Sequence, residues 1–390
     1  MPSDLSKILE QTLRFLNFFG VWAGKTPPKY YKYFSFISVF LAVVCYNLLL
    51  TINLVYTPRN IELILREVIF FFTEITVTAK VFTVILMRDE IIEVLNLIDN
   101  DKFIGDNGKK DGILYKTHKG YKFSWRVYNI LAHAAYIFDI IAPLFLAFLR
   151  GTKSELPVCK YYFLDDEFRD SYFFILFLYQ AIGMYGHMIY NVNVDTLSAG
   201  FLAIAVAQLK LLNSNLTNLK LSAEECKLPR EIQDKIQLTR LNKLLRHYEF
   251  ILNYCGAVQN VLSISLFIQF GVGSLIICVV MCSLLMPASM ESRLFMVIYL
   301  LMMTGQIFVP GYLGTLLTYE SQELVTAAYN CEWLVRSKSF RKDLILFRER
   351  AARPIQISGM KMFPLSLVTF IAIMKTAYSF FTLIRNVQDK

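Results

Sequence analysis

Hydrophobic residues fall into seven long runs along this chain, near residues 34–56, 63–87, 127–149, 172–194, 254–286, 294–317 and 364–384. Each is long enough, at about 1.5 Å per residue, to cross the roughly 30 Å hydrocarbon core of a bilayer as a helix. The last run is patterned differently from the others. Thr369, Thr376 and Leu383 recur every seven residues, as do Ala372, Ser379 and Asn386. Together they form a narrow, weakly polar seam that ends at Leu383, Asn386 and Val387, while Phe370, Ile373, Phe380 and Phe381 occupy other faces. Facing lipid, such a seam would leave polar groups unsatisfied. Two arrangements avoid that. Several copies of the helix can line a water path with it, or the small residues can pack against other spans of the same chain.

The pattern between the runs also predicts structure. Residues 197–221 have apolar positions at helical spacing. Ile232, Ile236, Leu241, Leu244 and Leu245 continue it before the fifth run. Leu324, Ala328, Trp333, Leu334 and residues 344–347 do so after the sixth. These read as helices that leave the membrane and pack their apolar faces into a bundle, the alternative being helices lying on the lipid surface. Residues 13–23 (LRFLNFFGVWA) are too short to span and read as an interfacial helix. The turn-rich DNDKFIGDNGKKDG makes 88–126 a mobile loop, and the polar stretch 150–170 a lid.

Composition agrees with a multi-span membrane protein: 55% of the 390 residues are hydrophobic. In a soluble protein a net charge of +9 would suggest nucleic acid as a partner, but here the charge is explained by its placement. Alternate segments between the runs carry 29 and 7 of the 40 Lys and Arg residues. The richer side is cytoplasmic by the positive-inside rule, so the N-terminus is inside and the C-terminus outside. That orientation is opposite to a G-protein-coupled receptor, and no Asp-Arg-Tyr or Asn-Pro-x-x-Tyr stands at the expected places. The fold class expected is an all-α membrane protein with seven transmembrane helices and a cytoplasmic helical anchor bundle. Its parts are a cytoplasmic N-terminus (1–33), transmembrane helices 1–4 (34–194), anchor helices (195–253), transmembrane helices 5–6 (254–318), further anchor helices (319–363) and a last transmembrane helix with an extracellular tail (364–390). Seven scattered cysteines and four histidines show no disulfide or metal spacing, and no phosphate loop follows Gly271-x-Gly273. An enzyme, a cofactor and a metal are therefore not expected.

Several residues carry a family resemblance. FRKDLILFRERAAR (340–353) is followed by Pro354, Gly359-Met360-Lys361-Met362-Phe363, Leu365-Ser366-Leu367, Ile373-Met374-Lys375, Tyr378-Ser379 and Thr382-Leu383. Upstream stand Gly311-Tyr312-Leu313-Gly314, Tyr319-Glu320-Ser321, Ala327-Ala328-Tyr329-Asn330 and Trp333. This set resembles the C-terminal signature of insect odorant receptors. The resemblance implies a ligand-gated, non-selective cation channel in the plasma membrane of olfactory neuron dendrites, tetrameric with a shared co-receptor subunit. The co-receptor's enlarged cytoplasmic loop is missing, which implies a ligand-tuning subunit. It implies further that the last helix lines the pore, with Thr376 and Ser379 on its wall, the hydrophobic gate at Leu383 and the outer mouth at Asn386 and Val387. A gustatory-type channel of the same superfamily and a metabotropic seven-span chemoreceptor are the alternatives. A secondary transporter would show internal repeats with broken helices, and none is evident.

A volatile ligand needs an aromatic and methionine-lined cavity with few polar groups. The resemblance places it in the outer halves of the second, third, fourth and sixth spans. The candidates there are Phe70 and Thr73; Tyr136, Ile140 and Pro143; Phe177, Gln180 and Met184; and Tyr299, Met302, Met303 and Gln306. Helix packing is the competing role for each. Gln180 and Gln306 are the strongest polar candidates, because a lone amide at depth needs a partner. Glu74, Lys80, Asp139 and Lys375 are charges inside runs. Glu74 and Lys80 are expected to pair with neighbours and Asp139 with His133 or a facing helix, while Lys375 should turn away from a cation pathway.

Overall fold

The computed structural model describes residues 6–100, 103, 112–151, 154, 156–286 and 290–388. They form an all-α membrane protein whose described elements are helical apart from one small hairpin. In chain order these are α1 (Ser6–Phe18), α2 (Lys29–Val39), a π-helical turn (Phe40–Cys45), α3 (Tyr46–Tyr56), α4 (Ile61–Leu86), α5 (Arg88–Ile98), α6 (Ile113–Arg150) and α7 (Asp166–Ser171). Then come α8 (Phe173–Thr217), α9 (Arg230–Ser283), α10 (Met290–Asn330), α11 (Lys338–Ala351), the hairpin β1 (Ser358–Gly359) and β2 (Phe363–Pro364), and α12 (Leu367–Gln388). Among the described residues six stretches are long and apolar enough to cross a membrane: Lys29–Tyr56, Leu63–Leu86, Phe173–Thr217, Arg230–Ser283, Arg293–Asn330 and Leu367–Asn386. The remaining expected run, 127–149, lies within the 38-residue α6.

The 45 residues of α8 and the 54 of α9 make rods of about 68 and 81 Å at about 1.5 Å per residue, more than twice a bilayer core. Their continuations pack with the end of α10 and with α11. Leu209, Leu212, Leu241, Ile251, Leu324 and Ala328 are fully buried there, and Phe340, Leu344 and Phe347 of α11 close the same core. Ser337 caps α11 by accepting the Phe340 amide at 3.3 Å.

Two stretches differ from the pattern reading. The stretch 88–126 is largely helix at both ends. In α5, Ile91, Val94, Leu95 and Ile98 form a helical stripe buried against α9, and Asp89 and Glu90 suit its first turn. Most of the turn-rich centre lies outside the described residues. At the N-terminus the helix covers Ser6–Phe18 rather than 13–23. Leu9, Thr12 and Leu16 are fully buried, with α1 lying against α8. Gly20, at φ +82°, lets the chain turn so that Val21 and Trp22 also enter the core. This stretch is internal because its apolar stripe has a protein partner in α8.

Candidate functional site

Four long helices converge on a cavity of about 160 Å³. Each presents one face at helical spacing: Phe70, Thr73, Glu74 and Val77 of α4; Tyr128, Ala132, Ala135, Tyr136 and Asp139 of α6; Met184, His187, Met188 and Asn191 of α8; and Phe295, Tyr299, Met302 and Gln306 of α10. Val192 of α8, Tyr46 of α3 and Val158 of the 151–165 connection complete the wall. Six aromatic residues and three methionines are among its lining residues. Phe295 stacks on Phe70 at 6.2 Å and on Tyr299 at 5.8 Å between centroids. A cavity of about 150 Å³ admits a benzene ring, so this one has room for about one ring.

The polar groups of the wall are held in place. Thr73 donates to the Ile69 carbonyl at 2.7 Å, so the Tyr299 hydroxyl beside it donates to Thr73. The Tyr136 hydroxyl donates to the Ala181 carbonyl at 3.0 Å, leaving its ring toward the cavity. Glu74 pairs with His187. The other ring nitrogen of His187 reaches the Ala42 carbonyl, which the π-helical turn presents. At one end of the cavity a polar chain joins five helices. Gln306 donates to the Tyr128 hydroxyl at 3.1 Å, and Tyr128 donates to Asp195 at 3.2 Å. Lys80 sits 2.6 Å from Asp195 and 2.6 Å from Asn191, and Gln269 of α9 donates to the Gln306 carbonyl at 2.8 Å. Lys80 is buried, so this pair depends on the further hydrogen bonds that Asn191 and Tyr128 make to it.

At the other end lies a folded cap. Gln180 accepts the Val158 amide at 3.0 Å and donates to the Cys159 carbonyl at 2.8 Å. Asn53 accepts the Tyr162 amide at 2.8 Å. Leu156, Val158, Cys159 and Tyr161 are thereby buried on Phe70, Ile140 and Phe177. Burial pushes the Cys159 thiol up to about 12, with Glu67 adding to the effect.

Seven of the twelve candidates from the sequence therefore meet at the cavity: Phe70, Thr73, Tyr136, Met184, Tyr299, Met302 and Gln306. Ile140 and Phe177 pack under the cap, and Gln180 holds that cap. Met303 faces the main core. Pro143 lies in α6 with its side chain outside the described residues. The sequence reading did not place Tyr128, Asn191 and Phe295 at the cavity, although their spacing along the same faces could have indicated them. Asp139 does not meet His133, whose ring contacts the Asn129 carbonyl at 2.7 Å and Tyr185 at 3.4 Å.

On α12, Phe370, Ile373 and Met374 pack against the core and Ala377 is fully buried. Ala372, Thr376, Ser379, Leu383 and Asn386 are exposed on the far side of the helix, with Leu383 at 59%, and Thr369 is half-buried. The Thr376 and Ser379 hydroxyls donate to the carbonyls of Ala372 and Lys375, each at 2.9 Å. The Val387 side chain lies outside the described residues.

The two places are joined by α10. Gly311 lies about 7.5 Å beyond Gln306 at about 1.5 Å per residue, past Pro310. A Cβ on Gly311 would meet the Ser366 carbonyl oxygen at 3.1 Å, and one on Gly314 would strike the Leu365 carbonyl. Thr315 accepts the Leu367 amide at 2.8 Å. From the other side α9 clamps the hairpin: Gln259 bonds both polar groups of the Ser358 backbone, and Phe363 stacks on Phe267 and Phe270.

A model of the 7tm Odorant receptor family matches residues 60–378. The chain belongs to that family, the insect odorant receptors, and so to a family of receptors rather than of enzymes. It is 25% identical to odorant receptor 59a of Drosophila melanogaster over 91% of this chain and 90% of the relative. It is also 25% identical to odorant receptor 42a of that species over 80% and 74%. Its match to odorant receptor 67c, at 28% identity, covers 51% of this chain and about half (48%) of that relative. The fold is shared with the insect olfactory receptor OR5 from Machilis hrabei in complex with eugenol, at a TM-score of 0.83, 18% identity and 98% coverage of both chains.

Proposed function

We propose that this chain is the odorant-binding, tuning subunit of a ligand-gated, non-selective cation channel. It crosses the plasma membrane of olfactory neuron dendrites seven times, with the N-terminus inside, the C-terminus outside and a cytoplasmic anchor bundle. It assembles as a heterotetramer with a co-receptor subunit. A small volatile ligand enters the α4–α6–α8–α10 cavity; OR5, which shares the fold, forms a complex with eugenol. The observation that carries this reading is α10, one helix that lines the cavity and, within two turns, grips the start of α12. A ligand that prefers one position of α10 shifts the population of α12 positions. With four copies of α12 around an axis, the exposed Thr376–Ser379 seam lines a water path and Leu383 closes it. Displacing the Leu383 ring wets the constriction and lets cations pass.

Co-expression of the chain with a co-receptor subunit, followed by current recording against an odorant panel, tests the reading. Odorant-evoked cation current is expected, with gating or conductance altered by Leu383→Ala. A surface-expressed complex that stays silent, or Leu383 substitutions that change nothing, would overturn it.

A further inference from the structure

We propose that the cavity selects protonated amines of about one ring in size, held by the Asp139 carboxylate. This rests on the ligand-binding reading above. Asp139 lines the cavity from α6, and its Oδ2 is buried without a hydrogen-bond partner. None of the neighbouring cations bonds to it. Lys80 pairs with Asp195 at 2.6 Å, His187 with Glu74, and Arg66 reaches the Pro157 carbonyl at 3.5 Å. Among the described residues no cation stands within ion-pair distance of Asp139. The wall therefore holds one balanced pair, Glu74 with His187, and the Asp139 carboxylate without a bonded cation.

A buried carboxylate without a partner is costly, so a cationic ligand gains more here than in an apolar pocket. An ammonium supplies the charge and three N–H donors together. The Thr73 hydroxyl and the Glu74 carboxylate are further oxygens of the same wall. The rest of the lining is rich in aromatic rings. Phe70, Phe295 and Tyr299 form one stacked series, whose faces attract a cation within about 6 Å and pack against a ligand ring. An alcohol of the same shape donates one hydrogen bond but leaves the charge uncompensated, and a hydrocarbon does neither.

Benzylamine, benzyl alcohol and toluene test this on the full chain co-expressed with a co-receptor subunit. They share a size and differ in one group, and benzylamine is protonated at neutral pH. Benzylamine is expected to evoke current at concentrations about tenfold or more below benzyl alcohol, the difference expected of a charge-assisted hydrogen bond. Asp139→Asn is expected to reduce the amine-to-alcohol potency ratio about tenfold, and Asp139→Glu to keep it within about threefold. Benzyl alcohol or toluene matching benzylamine on the unmodified receptor, or a ratio unmoved by Asp139→Asn, would overturn the amine proposal and leave the receptor reading standing. A surface-expressed complex silent to all three probes and to a broad odorant panel would remove both.

Discussion

If α10 carries the ligand's effect to α12, the joint at Gly314 should be sensitive to a single methyl group. An added Cβ would strike the Leu365 carbonyl, with the Leu365 carbonyl carbon and Cγ both at 2.9 Å. Leu365 cannot step aside cheaply. It is buried, its amide donates to the Ile357 carbonyl at 2.8 Å, and the Leu367 amide is held by Thr315. Overpacking of this kind costs about 1–3 kcal/mol. Alanine in place of helical glycine recovers about 1 kcal/mol. The remainder, up to about 2 kcal/mol, corresponds to as much as about 30-fold in a two-state equilibrium. Gly305, on the same helix, has open space where its Cβ would lie, so Gly305→Ala is the matched control. The assay is an odorant concentration–response curve normalised to surface protein. Gly314→Ala should shift half-maximal concentration or maximal current about tenfold, and Gly305→Ala less than about threefold. Equal behaviour of the two variants would refute the α10–α12 joint.

Other consequences can be measured separately. Lys80→Ala leaves Asp195 buried without its cation and should cost about 3–5 kcal/mol, read as lost surface expression, while Lys80→Met with Asp195→Leu restores expression at least in part. Phe70→Ala enlarges the cavity of about 160 Å³, so a two-ring ligand should gain potency relative to a one-ring ligand; an unchanged size preference would remove Phe70 from the ligand wall. Cys226 is exposed between α8 and α9, so a membrane-impermeant thiol reagent should label it only after permeabilisation. Cys159, buried and with its thiol pushed up to about 12, should resist the same reagent in intact cells, and labelling of Cys226 there would invert the topology.

Local periodicity made the large elements and the α12 seam legible, because a helix face repeats within a few residues. The bundle core around Leu241, Leu324 and Leu344 followed from the same signal. Pairings between distant segments did not. Lys80 and Asp195 are 115 positions apart, and nothing local couples them. Gln180 stands out in the sequence as a lone amide at depth, but its partners are backbone groups of a cap whose path depends on the finished fold. Asp139 stands out in the sequence as a charge, yet the lack of a hydrogen-bond partner for its Oδ2 depends on where Arg66 and His133 turn. The short helix α5 was obscured by the turn-rich sequence after it, although Ile91, Val94, Leu95 and Ile98 carried the stripe.

The exposed face of α12 is the proposed lining of the ion pathway. Single cysteines at Thr376 and Ser379, compared with cysteines at Phe370 and Ala377 on the buried face, test it through a charged thiol reagent applied during odorant-evoked current. The reagent is expected to change the current irreversibly at Thr376 and Ser379 and to leave the Phe370 and Ala377 variants as they were. Current that is indifferent at Thr376 and Ser379 yet altered from the opposite face would contradict it.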